Sequence, residues 1–275
     1  MMRRNPVESR ANVSEQMGIP SPDAAMSGGS PRLRGERGFL PLSPEKTRQY
    51  ETFWAKNVEN ITRITAPFKA EYETWPDDWY FNMWFDTGDA ELYYSMIRTY
   101  QPQQVIEIGS GYCTRVAAEA CRVNGKGRIT CIDPEPRRGL PEIVTFEKAF
   151  VQDIDLALFE TLKENDILFI DSSHGTEEAI YHHQILDRVA PGVIVHHHDF
   201  YFPLLTEWPE ENIIIAYYMA HLDQWEGLIG NADVRHKLGE KEYSALFGKY
   251  AEVPDRYPGS IYTRRRATPE ARRAI

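Results

Sequence analysis

From Gly88 onward the apolar positions fall into two alternating patterns. Residues 90–100 put Leu92, Met96 and Ile97 on one face at helical spacing, and Pro102 ends the run. Residues 105–108 form a short apolar stretch that reads as a strand, followed by a glycine turn and a helix through 116–121. A second strand is predicted over 128–132, closing on Asp133-Pro134, and a weaker third over 143–147. Residues 156–162 read as helical, 166–170 as a buried strand, 177–189 as a helix and 192–196 as a further strand. Strands alternating with helices at this spacing predict a mostly parallel sheet covered on both faces. Ligands of such sheets sit at the carboxyl ends of the strands, near the switch in strand order. The polar clusters at 109–111, 133, 171–174 and 196–199 all fall at such ends.

The chain before Gly88 is different. Residues 1–45 hold 17 Gly, Pro or Ser and little apolar periodicity, so they are expected to form a disordered arm. Ser43-Pro44-Glu45 has the makings of a helix start: a capping hydroxyl, proline at the first helical position and an acid in the first turn. Tyr50, Phe53, Trp54, Val58 and Ile61 then recur at helical spacing, and Pro67 and Pro76 punctuate the chain after them. Trp75, Trp79, Tyr80, Trp84 and Phe85 make 46–87 an aromatic-rich helical segment, which reads as a lid, as packing on the sheet, or as an aromatic wall for a substrate. A catalytic domain is expected over 88–264, with a helix between Trp208 and Trp225, and a basic tail over 265–275.

Composition narrows the classes. Hydrophobic residues make up 42% of the 275 and aromatics 12%, which suits one sizeable core. The net charge is −10, while both ends carry more Arg than acid, so the middle is more acidic than the whole. That argues against nucleic acid as a partner, since phosphate binding needs a basic face. Cys113, Cys121 and Cys131 lack a paired C-x-x-C, which argues against a zinc site and a disulfide framework. No stretch approaches the roughly 18 apolar residues of a membrane span, and no apolar run follows Arg3 and Arg4 as a signal peptide would require. A soluble cytoplasmic protein, able to form a homo-oligomer, is the expectation.

The glycine turn is Gly109-Ser110-Gly111, between a strand and a helix. Glycine there lets the backbone turn tightly and approach a ligand closely. Asp133, at the tip of the next strand, is placed to accept ribose hydroxyls. A dinucleotide fold would use the same acid but wants a third glycine where this chain has Thr114. Glu107 inside the strand also suits a cationic methionine end better than a pyrophosphate.

With Val105-Ile-Glu-Ile-Gly-Ser-Gly-Tyr-Cys-Thr-Arg115, Asp133 and Asp166-Ile-Leu-Phe-Ile-Asp-Ser-Ser-His174 together, the chain resembles class I S-adenosylmethionine-dependent methyltransferases. It is most similar to the bacterial small-molecule group with "EVGSG" loops and "FIDSSH" strands. The similarity runs from roughly Trp84 to Pro203, with a final echo at Pro258-Gly-Ser-Ile-Tyr262 that resembles the closing hairpin strand. The resemblance implies an α/β, Rossmann-like fold with a seven-stranded, mostly parallel sheet. It implies S-adenosylmethionine bound by Glu107, Gly109, Ser110, Gly111, Thr114 and Asp133. Val151 and Gln152 would then lie near adenine, with Asp171 and Ser172 alongside.

Two strand tips carry the remaining chemistry: Asp171-Ser172-Ser173-His174, and His196-His197-His198-Asp199 before Phe200. Strand alternation puts His196 and His198 on one face and His197 on the other. His197 reads as an exposed residue and His196 as a satisfied structural one, leaving His198 and Asp199 as the sharper pair. The layout resembles metal-dependent catechol-type O-methyltransferases, which implies a divalent cation such as Mg2+ held by Asp171, His198 and Asp199. Those enzymes carry a lysine three residues after the first Asp, where this chain has His174. A histidine titrating near neutrality suits a general base. The catalytic candidates are therefore His174, His198 and Asp199, acting on a small-molecule hydroxyl with a base or a metal. Non-methylating chemistry on the same cofactor, and a non-catalytic cofactor-binding scaffold, remain alternatives.

Overall fold

The computed structural model describes residues 43–82, 84–85, 87–136, 139–201, 209–249 and 257–267. The expected N-terminal arm lies outside them except for its last residues, as do residues 268–275 of the C-terminal tail.

The chain enters through α1 (Pro44–Phe53), started as expected: the Ser43 hydroxyl accepts from the Lys46 amide at 3.3 Å and Pro44 occupies the first turn. The apolar periodicity through Ile61 is not one helix, because Trp54 ends α1 and α2 (Asn57–Thr65) begins afresh. A single turn, α3 (Lys69–Tyr72), comes next. Tyr72, Trp75, Tyr80 and Phe85 are buried in the core, whereas Trp84 is 57% exposed. Most of this aromatic segment is thus packing against the sheet layer.

Helix α4 (Asp89–Tyr100) starts at Gly88, where Glu91 folds back to accept from the Gly88 amide at 2.6 Å and the Thr87 hydroxyl at 2.8 Å. It stops at Gln101, which adopts left-handed backbone ahead of Pro102. Strand β1 (Gln104–Ile108) leads through the glycine loop into α5 (Tyr112–Asn124), which ends at the left-handed Gly125. Next come β2 (Arg128–Ile132), β3 (Val144–Glu147), β4 (Ile167–Ile170) and α6 (Thr176–Arg188). The 156–162 segment is a 3-10 helix, Leu156–Thr161. Strand β5 (Ile194–His197), α7 (Pro209–Ala220), β6 (Trp225–Gly230), α8 (Asn231–Leu238), α9 (Glu240–Ser244) and β7 (Ile261–Arg265) complete the described elements.

The sheet has seven strands in the order β3-β2-β1-β4-β5-β7-β6, parallel except for β7, which runs antiparallel to both neighbours. This is the expected α/β, Rossmann-like sheet. Residues of β4 and β5 are buried on both faces, as in a sheet sandwiched by helices. Period-two alternation splits the core cleanly. Val105, Ile129, Ile167, Phe169 and Ile194 face one layer with α2, α4 and α5; Ile106, Ile108, Leu168, Ile170 and Val195 face the other with α6 and α7. The order reverses between β1 and β4, so the loops after those strands open at the switch point.

Candidate active site

Gly109 has φ +92, and a β-carbon there would lie 2.0 Å from the Asp171 carbonyl oxygen. The loop after β1 therefore rests directly on the end of β4, a contact only glycine permits. Gly111, by contrast, has extended backbone and open space around it at the start of α5. Its amide donates to the Thr114 hydroxyl at 3.1 Å. The Ser110 hydroxyl donates to Asp133 Oδ2 at 2.7 Å, and Asp133 Oδ1 accepts from the Glu135 amide at 2.8 Å. These bonds fix a half-buried acid beside the glycine loop, at the tip of β2. Val151 is buried and Gln152 exposed in the turn Val151–Asp153 after β3.

Glu107 does not line an open surface. It is fully buried, accepting from the Tyr93 hydroxyl at 2.9 Å and the Cys131 thiol at 3.2 Å, and it also hydrogen-bonds Thr114. Burial raises its pKa, against the pull of those three donors. Thr114 is fully buried too, so both residues form an internal brace under the loop. Glu107, expected from the resemblance to line the methionine end of a cofactor, thus has its carboxylate engaged from within the fold, by Tyr93 of α4.

At the other half of the site, Asp171, His174 and Asp199 offer ligand atoms that all lie within 4.8 Å of one another. His174 and Asp199 both carry left-handed backbone, φ +63 and +62. Non-glycine residues held there cost roughly 1–3 kcal/mol each and tend to mark functional sites. His174 Nε2 lies 3.5 Å from Asp199 Oδ2, and its Nδ1 lies 2.5 Å from Glu211 Oε1. Burial pulls the His174 pKa down, but the Glu211 bond and the Asp199 charge push it up to about 9. The ring is thus an imidazolium at neutral pH, not the near-neutral base that its position in the sequence suggested.

His198, expected among the metal ligands, is not in that ligand-atom group but stands directly against its two carboxylates. It is 6% exposed and ringed by acids: Asp171 Oδ2 at 3.4 Å, Asp199 Oδ1 at 3.6 Å and Asp89 Oδ2 at 3.5 Å. Burial opposes its charge, yet Asp199 and Asp171 hold its pKa well above the usual value. The Phe85 ring caps it at 4.9 Å. It acts as a buried counter-charge behind the two carboxylates. Asp89, at the start of α4, also accepts from the Gly259 amide at 2.8 Å, the Ser260 amide at 3.0 Å and Asn231 at 2.9 Å. Burial would raise the Asp89 carboxyl, but His198 and these donors hold it below the ordinary range.

His196 stacks on Tyr262 at 4.1 Å and bonds Ser260 at 2.9 Å; burial keeps it neutral. His197 is fully buried rather than exposed, on the opposite face, with Nε2 2.8 Å from the Tyr218 hydroxyl. Both are structural. Ser172 lies 3.5 Å from Glu210 Oε2, and Ser173 donates to Glu178 through its amide and hydroxyl at 2.8 and 2.6 Å, fastening the loop to α6. Sequence reasoning missed Asp89, Glu210 and Glu211. The two glutamates sit in a first helical turn, where acids normally face solvent and complement the helix dipole.

Residues 106–200 match the family described as a methyltransferase domain. An uncharacterized protein of Archaeoglobus fulgidus is 36% identical over 91 residues, covering 30% of this chain and 41% of that relative. The chain thus spans about two fifths of the length of the curated relative it matches. Among solved structures, an O-methyltransferase from Bacillus cereus in complex with SAH is similar at 14% identity, 82% of this chain, 93% of that one and a TM-score of 0.41. The O-methyltransferase TomG from Streptomyces achromogenes, in complex with SAM, is similar at 15% identity, 82% and 100% coverage and a TM-score of 0.43. No helix among the described residues is long and apolar enough to cross a membrane. The family match covers the glycine loop, Asp133 and both polar strand tips, and residues 106–200 are thus similar to a methyltransferase domain within the seven-stranded sheet.

Proposed function

We propose that the chain transfers a methyl group from S-adenosylmethionine to a hydroxyl oxygen of a small-molecule acceptor. The observation that carries this reading is the contact between the two halves of the site. Gly109, in the cofactor loop, rests on the backbone of Asp171, which heads the Asp171–His174–Asp199 group. A donor seated on the loop would be next to a cluster able to manage an acceptor's proton. The open space at Gly111, the start of α5 and the half-buried Asp133 fit a ligand with a ribose and an adenine reaching toward Val151 and Gln152.

Asp171 and Asp199 are hard oxygen donors, and their carboxylates fit a divalent cation of the Mg2+ kind. The cofactor supplies an electrophilic methyl group, and such a cation lowers the pKa of a hydroxyl it binds. The chain's own residues do the rest. His198 balances the paired carboxylates from behind, Tyr201 donates to Asp199 Oδ1 at 3.0 Å, and Phe85 keeps water from the buried side. Alignment and exclusion of water matter more to methyl transfer than covalent help from the protein.

The test is transfer of labelled methyl from S-adenosylmethionine into a panel of small hydroxylated acceptors, with and without chelator. Asp171→Asn and Asp199→Asn should each reduce turnover at least 100-fold while cofactor affinity, read by calorimetry, changes less than about threefold. Unchanged turnover in both variants would remove the acceptor-site assignment, and full activity in chelator would remove the cation.

A further inference from the structure

Behind His174 lies a second group of ligating atoms. His174, Glu210 and Glu211 also offer atoms within 4.8 Å of one another. The two glutamates open α7 and are each 2% exposed, an unusual place for adjacent acids. Glu210 is held from both sides: Oε1 lies 2.7 Å from Nδ1 of the fully buried His182, and Oε2 lies 3.5 Å from the Ser172 hydroxyl. Glu211 has one oxygen on His174 Nδ1, and its buried Oε2 has no hydrogen-bond partner among the described residues. Leaving a buried carboxylate oxygen unpaired is costly, and the cost vanishes if a cation takes it.

We propose that His174 Nδ1, Glu210 and Glu211 form an inner binding site for a first-row divalent cation of the zinc class, distinct from the Asp171–Asp199 carboxylates. One imidazole with two carboxylates is a borderline donor set that suits such a metal, whereas Asp171 and Asp199 offer oxygen alone. His182 stands behind Glu210 as its outer partner, the arrangement that orients ligating carboxylates. Binding is a proton exchange. The cation takes the Nδ1 lone pair of His174, the proton shared with Glu211 is released, and Nε2 keeps its hydrogen, 3.5 Å from Asp199 Oδ2. An inner cation would thereby fix the tautomer and ring angle of His174 at the acceptor site.

The test uses the full chain, stripped with chelator and titrated with Co2+ alone, reading the visible ligand-field absorption; it needs no cofactor and no turnover. One equivalent is expected, displaced by Zn2+, retained in Asp171→Asn and Asp199→Asn, and weakened at least 10-fold in Glu210→Gln and Glu211→Gln. A thermal melt of each variant separates lost metal from lost fold. Should a glutamine variant fail to fold, a rise in melting temperature of Asp171→Asn with Zn2+ supports the site, and no rise overturns it. Absence of the absorption in the unmodified chain, its survival in a folded Glu211→Gln, or its loss in Asp171→Asn also overturns it.

Discussion

Replacing Gly109 with alanine puts a β-carbon 2.0 Å from the Asp171 carbonyl oxygen and 3.1 Å from its carbon, at φ +92. Non-glycine strain at such a backbone angle costs roughly 1–3 kcal/mol. Forcing the end of β4 away by about 1 Å adds a packing cost of roughly 1–3 kcal/mol. The sum, about 2–6 kcal/mol, corresponds to a fall in melting temperature of roughly 5–20 °C for a domain of this size. Gly111→Ala meets nothing within 4 Å on extended backbone, so its stability should stay within about 0.5 kcal/mol of the unmodified chain. Its methyl group would enter the open space over the loop, so cofactor affinity should fall with no loss of stability. Paired urea and thermal denaturation of the two variants, followed by cofactor calorimetry on Gly111→Ala, checks the reasoning. A Gly109→Ala chain as stable as Gly111→Ala would refute the close approach of Gly109, in the loop after β1, to Asp171 at the end of β4.

Two further outcomes rest on buried ionisable groups. Asp89→Asn turns one of two accepting oxygens into a donor facing amides and His198, and should destabilise the fold by about 2–4 kcal/mol in urea denaturation. A loss under about 0.5 kcal/mol would deny Asp89 its bracing role. His196 is neutral in the fold because burial lowers its pKa well below 6.5. The unfolded chain binds a proton there that the native chain does not, so stability is complete above about pH 6.5 and falls as pH drops toward the native value. The slope from this one group approaches about 1.4 kcal/mol per pH unit. A His196→Asn variant, compared with the unmodified chain from about pH 7.5 to 5, should lack that increment; equal slopes would count against a buried neutral ring.

Much of this architecture was legible from the residues. The apolar runs at 105–108, 128–132 and 166–170 mark buried parallel strands because nothing else buries both faces so briefly. Strand β6 was not legible: Trp225–Gly230 contains two glycines and carries no strand pattern of its own. The structure supplies the reason, since a β-carbon at Gly227 would lie 2.6 Å from the Phe53 carbonyl of α1. That glycine answers to a helix far away in sequence, which no local pattern reports. The candidate site divides in the same way. The glycine loop and Asp133 are local motifs and stand where their spacing put them. The part played by each histidine depends on distant partners: Asp89 for His198, Glu211 for His174, Ser260 for His196 and Tyr218 for His197.

One element ties the two halves together. Helix α4 sends the Tyr93 hydroxyl to Glu107, beneath the cofactor loop, and Asp89 to His198, behind the paired carboxylates. Asp89 also grips the backbone leading into β7 through Gly259 and Ser260, so the antiparallel strand is fixed to the same helix. Asp171 and Asp199 carry like charges at neighbouring strand tips, and the buried imidazolium of His198 is what lets them approach. Loss of Asp89 would therefore reach the Asp171–Asp199 pair through His198 before it reached the glycine loop, whereas loss of Tyr93 would do the reverse. The glycine-loop half and the carboxylate half are braced by one helix through separate contacts, Tyr93 to Glu107 in β1 and Asp89, four residues earlier, to His198 just past the end of β5.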